Sequence, residues 1–188
     1  MASRRDFFKS FAKPLQQTPK DASPLVVRPP YGLSESLFQS ECPACESHAC
    51  VTSCEEKILY IGADGTAQLS FASSGCTFCD ACAQACESGV LDLLHSPYQE
   101  HIAAEFSINI QGCVAHNSVI CFSCKEPCID DAILFNGMFN PVIDMNLCTG
   151  CGFCISVCPV DAIECSPREI QETHQESSTE SIEKGEEQ

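Results

Sequence analysis

Apolar residues in this chain come in short runs, and the runs repeat. Near the start, Phe7, Phe8 and Phe11 fall near one side of a helix drawn from Arg4 to Lys13, which predicts a short amphipathic helix. Residues 13–30 then break any periodicity with Pro14, Pro19, Pro24, Pro29 and Pro30, and read as an extended arm. Beyond residue 42 the β-like runs AQLSF, AEFSINI and PVIDMN each precede a polar loop. The phrases EEKILYI, ESGVLDL, IDDAILF and PVDAIEC each follow one. The repeating unit is therefore strand, loop, helical turn, strand, with the turn expected to start at the end of each loop. No apolar run reaches the length of about 18 residues that a membrane helix needs.

Those loops carry the cysteines. The chain has 17, an odd number that excludes complete pairing into disulfides. Cys165 stands alone, and the rest form four groups of four. Group one is Cys42-x2-Cys45-x4-Cys50-x3-Cys54, and group two is Cys76-x2-Cys79-x2-Cys82-x3-Cys86. Group three is Cys113-x7-Cys121-x2-Cys124-x3-Cys128, and group four is Cys148-x2-Cys151-x2-Cys154-x3-Cys158, followed by Pro159.

A run of C-x2-C-x2-C-x3-C is the iron–sulfur pattern of bacterial ferredoxins. Gaps of two let a tight loop wrap three thiolates around one face of a cubane. The fourth cysteine then faces away and ligates the neighbouring cluster. Thr149, Gly150 and Gly152 supply the small residues needed where backbone approaches metal. The rival is structural zinc, which uses two C-x2-C pairs and does not require the third cysteine found here in groups two and four. Groups one and three depart from the spacing, yet still offer four thiolates each. The reading is three to four [4Fe–4S] clusters per chain, with the irregular groups as the place where one would be missing. Short gaps between groups favour pairing one with two and three with four, while a nested pairing of one with four and two with three stays open.

The fold class this implies is α+β, with tandem bacterial-ferredoxin-like modules at residues 42–98 and 99–165. Residues 1–41 form a basic helix and proline-rich arm, and residues 166–188 an acidic tail. That tail carries seven glutamates against Arg168 and Lys184 and is expected to stay solvated. Phe78, Phe122 and Phe153 sit beside ligands and shield the clusters from water. His48 and His116 lie inside the loops, where ligation is conceivable but unneeded, and Cys165 reads as a packed thiol. The charge excess, −16, sets the chain against nucleic acid and anionic lipid as partners. No nucleotide-binding glycine motif and no catalytic constellation is present, so the reading is not an enzyme.

The stretch Ser3-Arg4-Arg5-Asp6-Phe7-Phe8-Lys9 looks like a twin-arginine export signal. An apolar segment of about 7–15 residues should follow it. Instead SFAKPLQQTPKDASP follows, with lysines, glutamines and prolines. The pair Arg4 and Arg5 is therefore expected to be a retained basic arm that docks a partner, and the protein to be cytoplasmic.

Taken together, several features resemble the NapF family of ferredoxin-type proteins of the periplasmic nitrate reductase system. They are Ser3-Arg4-Arg5, the arm motif Arg28-Pro29-Pro30 with Tyr31, the run CTFCDACAQAC, the stretched CVAHNSVICFSCKEPC and the ending CTGCGFCISVCPVDAI. The resemblance covers residues 1–165. It implies a cytoplasmic iron–sulfur accessory protein, whose partner is the nitrate reductase catalytic subunit precursor before export. Its role would be maturation of that subunit's cofactors. The cluster ligands would be the cysteines of groups one, two and four, with group three less regular. An electron-transfer subunit of an anaerobic oxidoreductase is the alternative, and a zinc-binding interaction module a third reading.

Overall fold

The structure, a computed structural model, describes residues 26–168. The basic helix expected over residues 4–13, with Arg4 and Arg5, and most of the acidic tail lie outside the described residues.

Helices and strands are few and short, and sheets are two-stranded. In the first half, β1 (Leu59–Ile61) and β2 (Ala67–Leu69) form an antiparallel hairpin. Asp64 closes its turn by accepting from the backbone and the hydroxyl of Thr66, at 3.0 and 2.8 Å. In the second half, β3 (Ala104–Ile108) pairs antiparallel with β6 (Ile163–Pro167). Between them β4 (Ile133–Asn136) and β5 (Phe139–Ile143) form a hairpin through a tight turn at Gly137, whose φ of +70° suits glycine. β6 runs into the expected tail, and the backbone N–H of Arg168 donates to the Ala103 carbonyl at 2.9 Å. The first residues of that tail are thus tied down.

The phrase ESGVLDL makes no strand. It forms a single bridge, Gly32 with Leu91, flanked by hydrogen bonds from Leu33 to Val90 (3.1 Å) and from Asp92 to Tyr31 (2.8 Å). The segment 28–33 stands here where β3 stands in the second half. Pro29 and Pro30 have no N–H to give, so the ladder cannot lengthen.

The arm is consequently part of the core. Arg28 is only 3% exposed. Its guanidinium pairs with Glu35, donates to Thr66 Oγ1 and the Ala67 carbonyl at 2.6 and 3.0 Å, and lies 4.7 Å above the Phe38 ring. Glu35 opens α1 (Glu35–Glu41), capped by Ser34 Oγ. Helix α1 presents Phe38 inward and delivers the chain, through a 3-10 turn at Cys42–Ala44, to the first cysteine loop. Phe38, Val90, Ile102 and Ile133 are among the largest fully buried side chains, two in each half.

The remaining helices are single turns: α2 (Ala49–Thr52), α3 (Ala81–Gln84) and α4 (Phe153–Ser156). They contain the third cysteines Cys50, Cys82 and Cys154, and end before the fourth. This corrects the sequence expectation, which placed the turn at the fourth cysteine. Each begins from a left-handed residue: His48, Asp80 and Gly152, with φ of 43°, 57° and 82°. Group three has a hydrogen-bonded turn instead, Lys125 to Phe122 and Cys128 to Lys125 at 2.9 and 3.1 Å.

Candidate iron–sulfur centres

Four cavities of similar size lie between the loops and the hairpins, each with about 20 Å³ of space open to a water-sized sphere. Each is lined by four cysteines, three from one group and the fourth from another. Cys42, Cys45 and Cys50 meet Cys86 in the first cavity. Cys76, Cys79 and Cys82 meet Cys54 in the second. Cys113, Cys121 and Cys124 meet Cys158 in the third. Cys148, Cys151 and Cys154 meet Cys128 in the fourth. Group one is thus interleaved with group two, and group three with group four. The stretched loop from Cys113 to Cys121 still brings both ends to one cavity.

The crossing-over has a local cause that recurs four times. In every group the fourth cysteine's N–H closes a turn from three residues back, at Val51, Ala83, Lys125 and Ile155 (3.1–3.3 Å). Its carbonyl then accepts from three residues on: Lys57, Gly89, Asp131 and Asp161 (3.2–3.4 Å). All four of these donor residues have positive φ: 55°, 70°, 50° and 49°. Two consecutive turns swing the fourth side chain away from its own loop and into the neighbouring cavity.

Backbone N–H groups point at several sulfurs. Phe78 donates to Cys76 Sγ at 3.4 Å, Leu91 to Cys86 Sγ at 3.4 Å, and Ala162 to Cys158 Sγ at 3.2 Å. The walls are otherwise mainly apolar. Burial pushes the Cys82 and Cys154 thiols up to about 12, with the neighbouring sulfurs adding to it. Burial likewise lifts Cys50, Cys76 and Cys124 to about 11. Cys45 goes the other way, because Ser47 and the His48 backbone hydrogen-bond its sulfur. Thiols forced together in an apolar wall resist ionisation unless a cationic centre sits among them, which fits an iron–sulfur cluster. Among the described residues, no three or more of His, Cys, Asp or Glu converge closely enough to hold a single metal ion. The sulfurs surround a space rather than a point.

Cys165 lines none of the four cavities. It sits on β6 opposite Phe106, half-buried, with burial lifting its thiol to about 11. His48 lines the first cavity, while His116 turns its Nε2 to the Pro141 carbonyl at 2.9 Å. Phe78 lines the second cavity, and Phe122 packs against Phe135 with centroids 4.7 Å apart and the rings tilted by 48°. The sequence reading named Tyr31 only within the arm motif and gave it no place at a cavity. Tyr31 lines the second cavity, is buried, and donates its hydroxyl to the Phe78 carbonyl at 3.0 Å. The signal available was an aromatic directly after Arg-Pro-Pro.

Residues 141–164, which span group four, match the family of 4Fe-4S binding domains. The ferredoxin-type protein NapF of Escherichia coli (strain K12) is 38% identical over 141 residues, covering 73% of this chain and 82% of the relative. NapF of Haemophilus influenzae is 32% identical over 144 residues, covering 73% and 77%. The ferredoxin-type protein NapG of Escherichia coli (strain K12) is 28% identical over 168 residues, covering 78% and 72%. With interleaved cysteine groups in both halves and this likeness running through most of its length, the chain belongs to the NapF family of ferredoxin-type iron–sulfur proteins.

Proposed function

We propose that each of the four cavities holds one [4Fe–4S] cluster. The ligand sets are Cys42, Cys45, Cys50 and Cys86; Cys54, Cys76, Cys79 and Cys82; Cys113, Cys121, Cys124 and Cys158; and Cys128, Cys148, Cys151 and Cys154. The observation that carries this is the three-plus-one lining repeated four times, including around the two loops with irregular spacing. When bound, the clusters supply one-electron chemistry. The chain's own part is to hold the thiolates, aim N–H groups at the sulfurs and keep water out.

At the level of the cell, the protein acts as a cytoplasmic accessory protein for the catalytic subunit precursor of a periplasmic nitrate reductase, during maturation of that subunit's cofactors. Membership of the NapF family supports this, as does the Arg4–Arg5 pair without the apolar segment of an export signal. The alternative, a permanent electron-transfer subunit, differs in stoichiometry.

Anaerobically purified protein should contain iron and acid-labile sulfide in equal amounts, near four clusters' worth per chain, with an EPR signal on reduction. Zinc without sulfide would refute the cluster reading. The precursor, captured from cytoplasmic extract, should bring the protein down, whereas the exported mature enzyme should not. Co-purification with the mature enzyme would favour the subunit.

A further inference from the structure

The two halves touch where two cysteine loops meet. The backbone N–H of Cys76, which lines the second cavity, donates to the carbonyl of Cys151, which lines the fourth, at 2.6 Å. The approach leaves no room for side chains. A Cβ on Gly75 would lie 2.6 Å from the Phe153 ring and backbone nitrogen and 2.7 Å from the Cys151 carbonyl oxygen. A Cβ on Gly152, whose φ is +82°, would run into the Phe71 ring. Phe71 in turn packs on Phe106 across the same seam, with ring centroids 5.8 Å apart.

Within each half, neighbouring cavities are tied twice along the chain. Cys50 to Cys54 and Cys82 to Cys86 join the first and second, while Cys124 to Cys128 and Cys154 to Cys158 join the third and fourth. The cavities therefore stand in one unbranched series: first, second, fourth, third.

Resting on the cluster reading above, we propose that the Cys76–Cys151 backbone contact is the electron route between the halves. It makes the protein a single four-site relay, and Gly75 is there to permit the contact. In the step, the second site is oxidised by one electron and the fourth is reduced by one. No bond or proton moves. The electron enters the chain from a one-electron reductant of lower potential, dithionite in the test.

The test uses the full-length, iron-loaded chain. It is mixed anaerobically with less dithionite than one electron per chain, frozen at successive times, and read by EPR. In the unaltered chain the earliest spectrum should already equal the equilibrium one. Gly75→Ala, at equal iron and sulfide content, should start from a different spectrum and drift slowly to the same end. Gly112→Ala, whose Cβ would meet nothing nearer than Ala162 Cβ at 3.6 Å, should behave as the unaltered chain. A loaded Gly75→Ala that equilibrates as fast as the unaltered chain overturns the relay. Should Gly75→Ala fail to load, the unaltered chain decides: immediate equilibrium supports the relay, and slow drift overturns it. Absence of iron and sulfide from the unaltered chain would instead overturn the proposed function, and the relay with it.

Discussion

Tyr31 shows how one side chain outside the cysteine groups can set a cluster loop. Its hydroxyl donates to the Phe78 carbonyl, beside Cys79 and in a residue held at φ +53°. A left-handed phenylalanine costs about 1–2 kcal/mol, and the phenol helps to hold it. Burial, with Asp80 next, lifts the Tyr31 phenol to about 12. The neutral phenol is the form the fold favours, so its contribution is complete below pH 10 and lost as pH rises toward 12. Tyr31→Phe should lower stability by about 1 kcal/mol at neutral pH. Anaerobic denaturant titrations of loaded protein should show that deficit shrinking at alkaline pH, with iron content unchanged throughout. At the same scale, Cys151→Ala should lose one cluster's share of iron, while Cys165→Ala should lose none. Iron analysis giving the reverse would refute the ligand sets proposed here.

At the scale of elements, the recurring device is the pair of turns that carries each fourth cysteine into a neighbouring cavity. Its second turn needs a left-handed residue, supplied by Lys57, Gly89, Asp131 and Asp161. Gly89 isolates the backbone effect, because a Cβ there would meet nothing within 4 Å. Gly89→Ala should therefore cost about 1 kcal/mol through φ alone, and Lys57→Gly should return a similar amount. Thermal unfolding of the two variants should move in opposite directions. Much of this layer was legible in the sequence. The spacing of groups two and four marks the loops, and AQLSF, AEFSINI and PVIDMN lie at or across β2, β3 and β5. The helical turns were read one cysteine too late, because the apolar phrases after the fourth cysteine mark the strands and not the turns that feed them. The arm was read as lacking regular structure, which holds for residues 26–29, but its burial was invisible. An arginine between valine and two prolines gives no periodic signal, and its partners Thr66 and Ala67 lie 38 and 39 residues away.

The whole molecule depends on what the cavities hold. Among the described residues no helix exceeds seven residues and no strand exceeds five, so local hydrogen bonding contributes little cooperativity. The apolar core is interrupted by the cavities themselves. In the empty chain the buried thiols are neutral near pH 7, since Cys82 and Cys154 are lifted from 9.0 to about 12. Their raised values favour the neutral form, so in the empty chain that contribution is complete below pH 9 and lost as pH climbs toward 12. Loading reverses the dependence. Iron displaces protons from the thiols, so acid competes with ligation and the loaded chain weakens as pH falls. Removing iron with a chelator under anaerobic, reducing conditions should therefore unfold both halves in one step, because the seam at Cys76 and Cys151 couples two cluster loops. Far-UV circular dichroism and limited proteolysis should report that loss together with the loss of visible absorbance. In the loaded chain, acidification should release iron and structure in parallel, while alkaline pH up to 9 should release neither. A chelated chain that keeps its circular dichroism and protease resistance would show that packing alone holds the fold, and that the clusters are passengers rather than its framework.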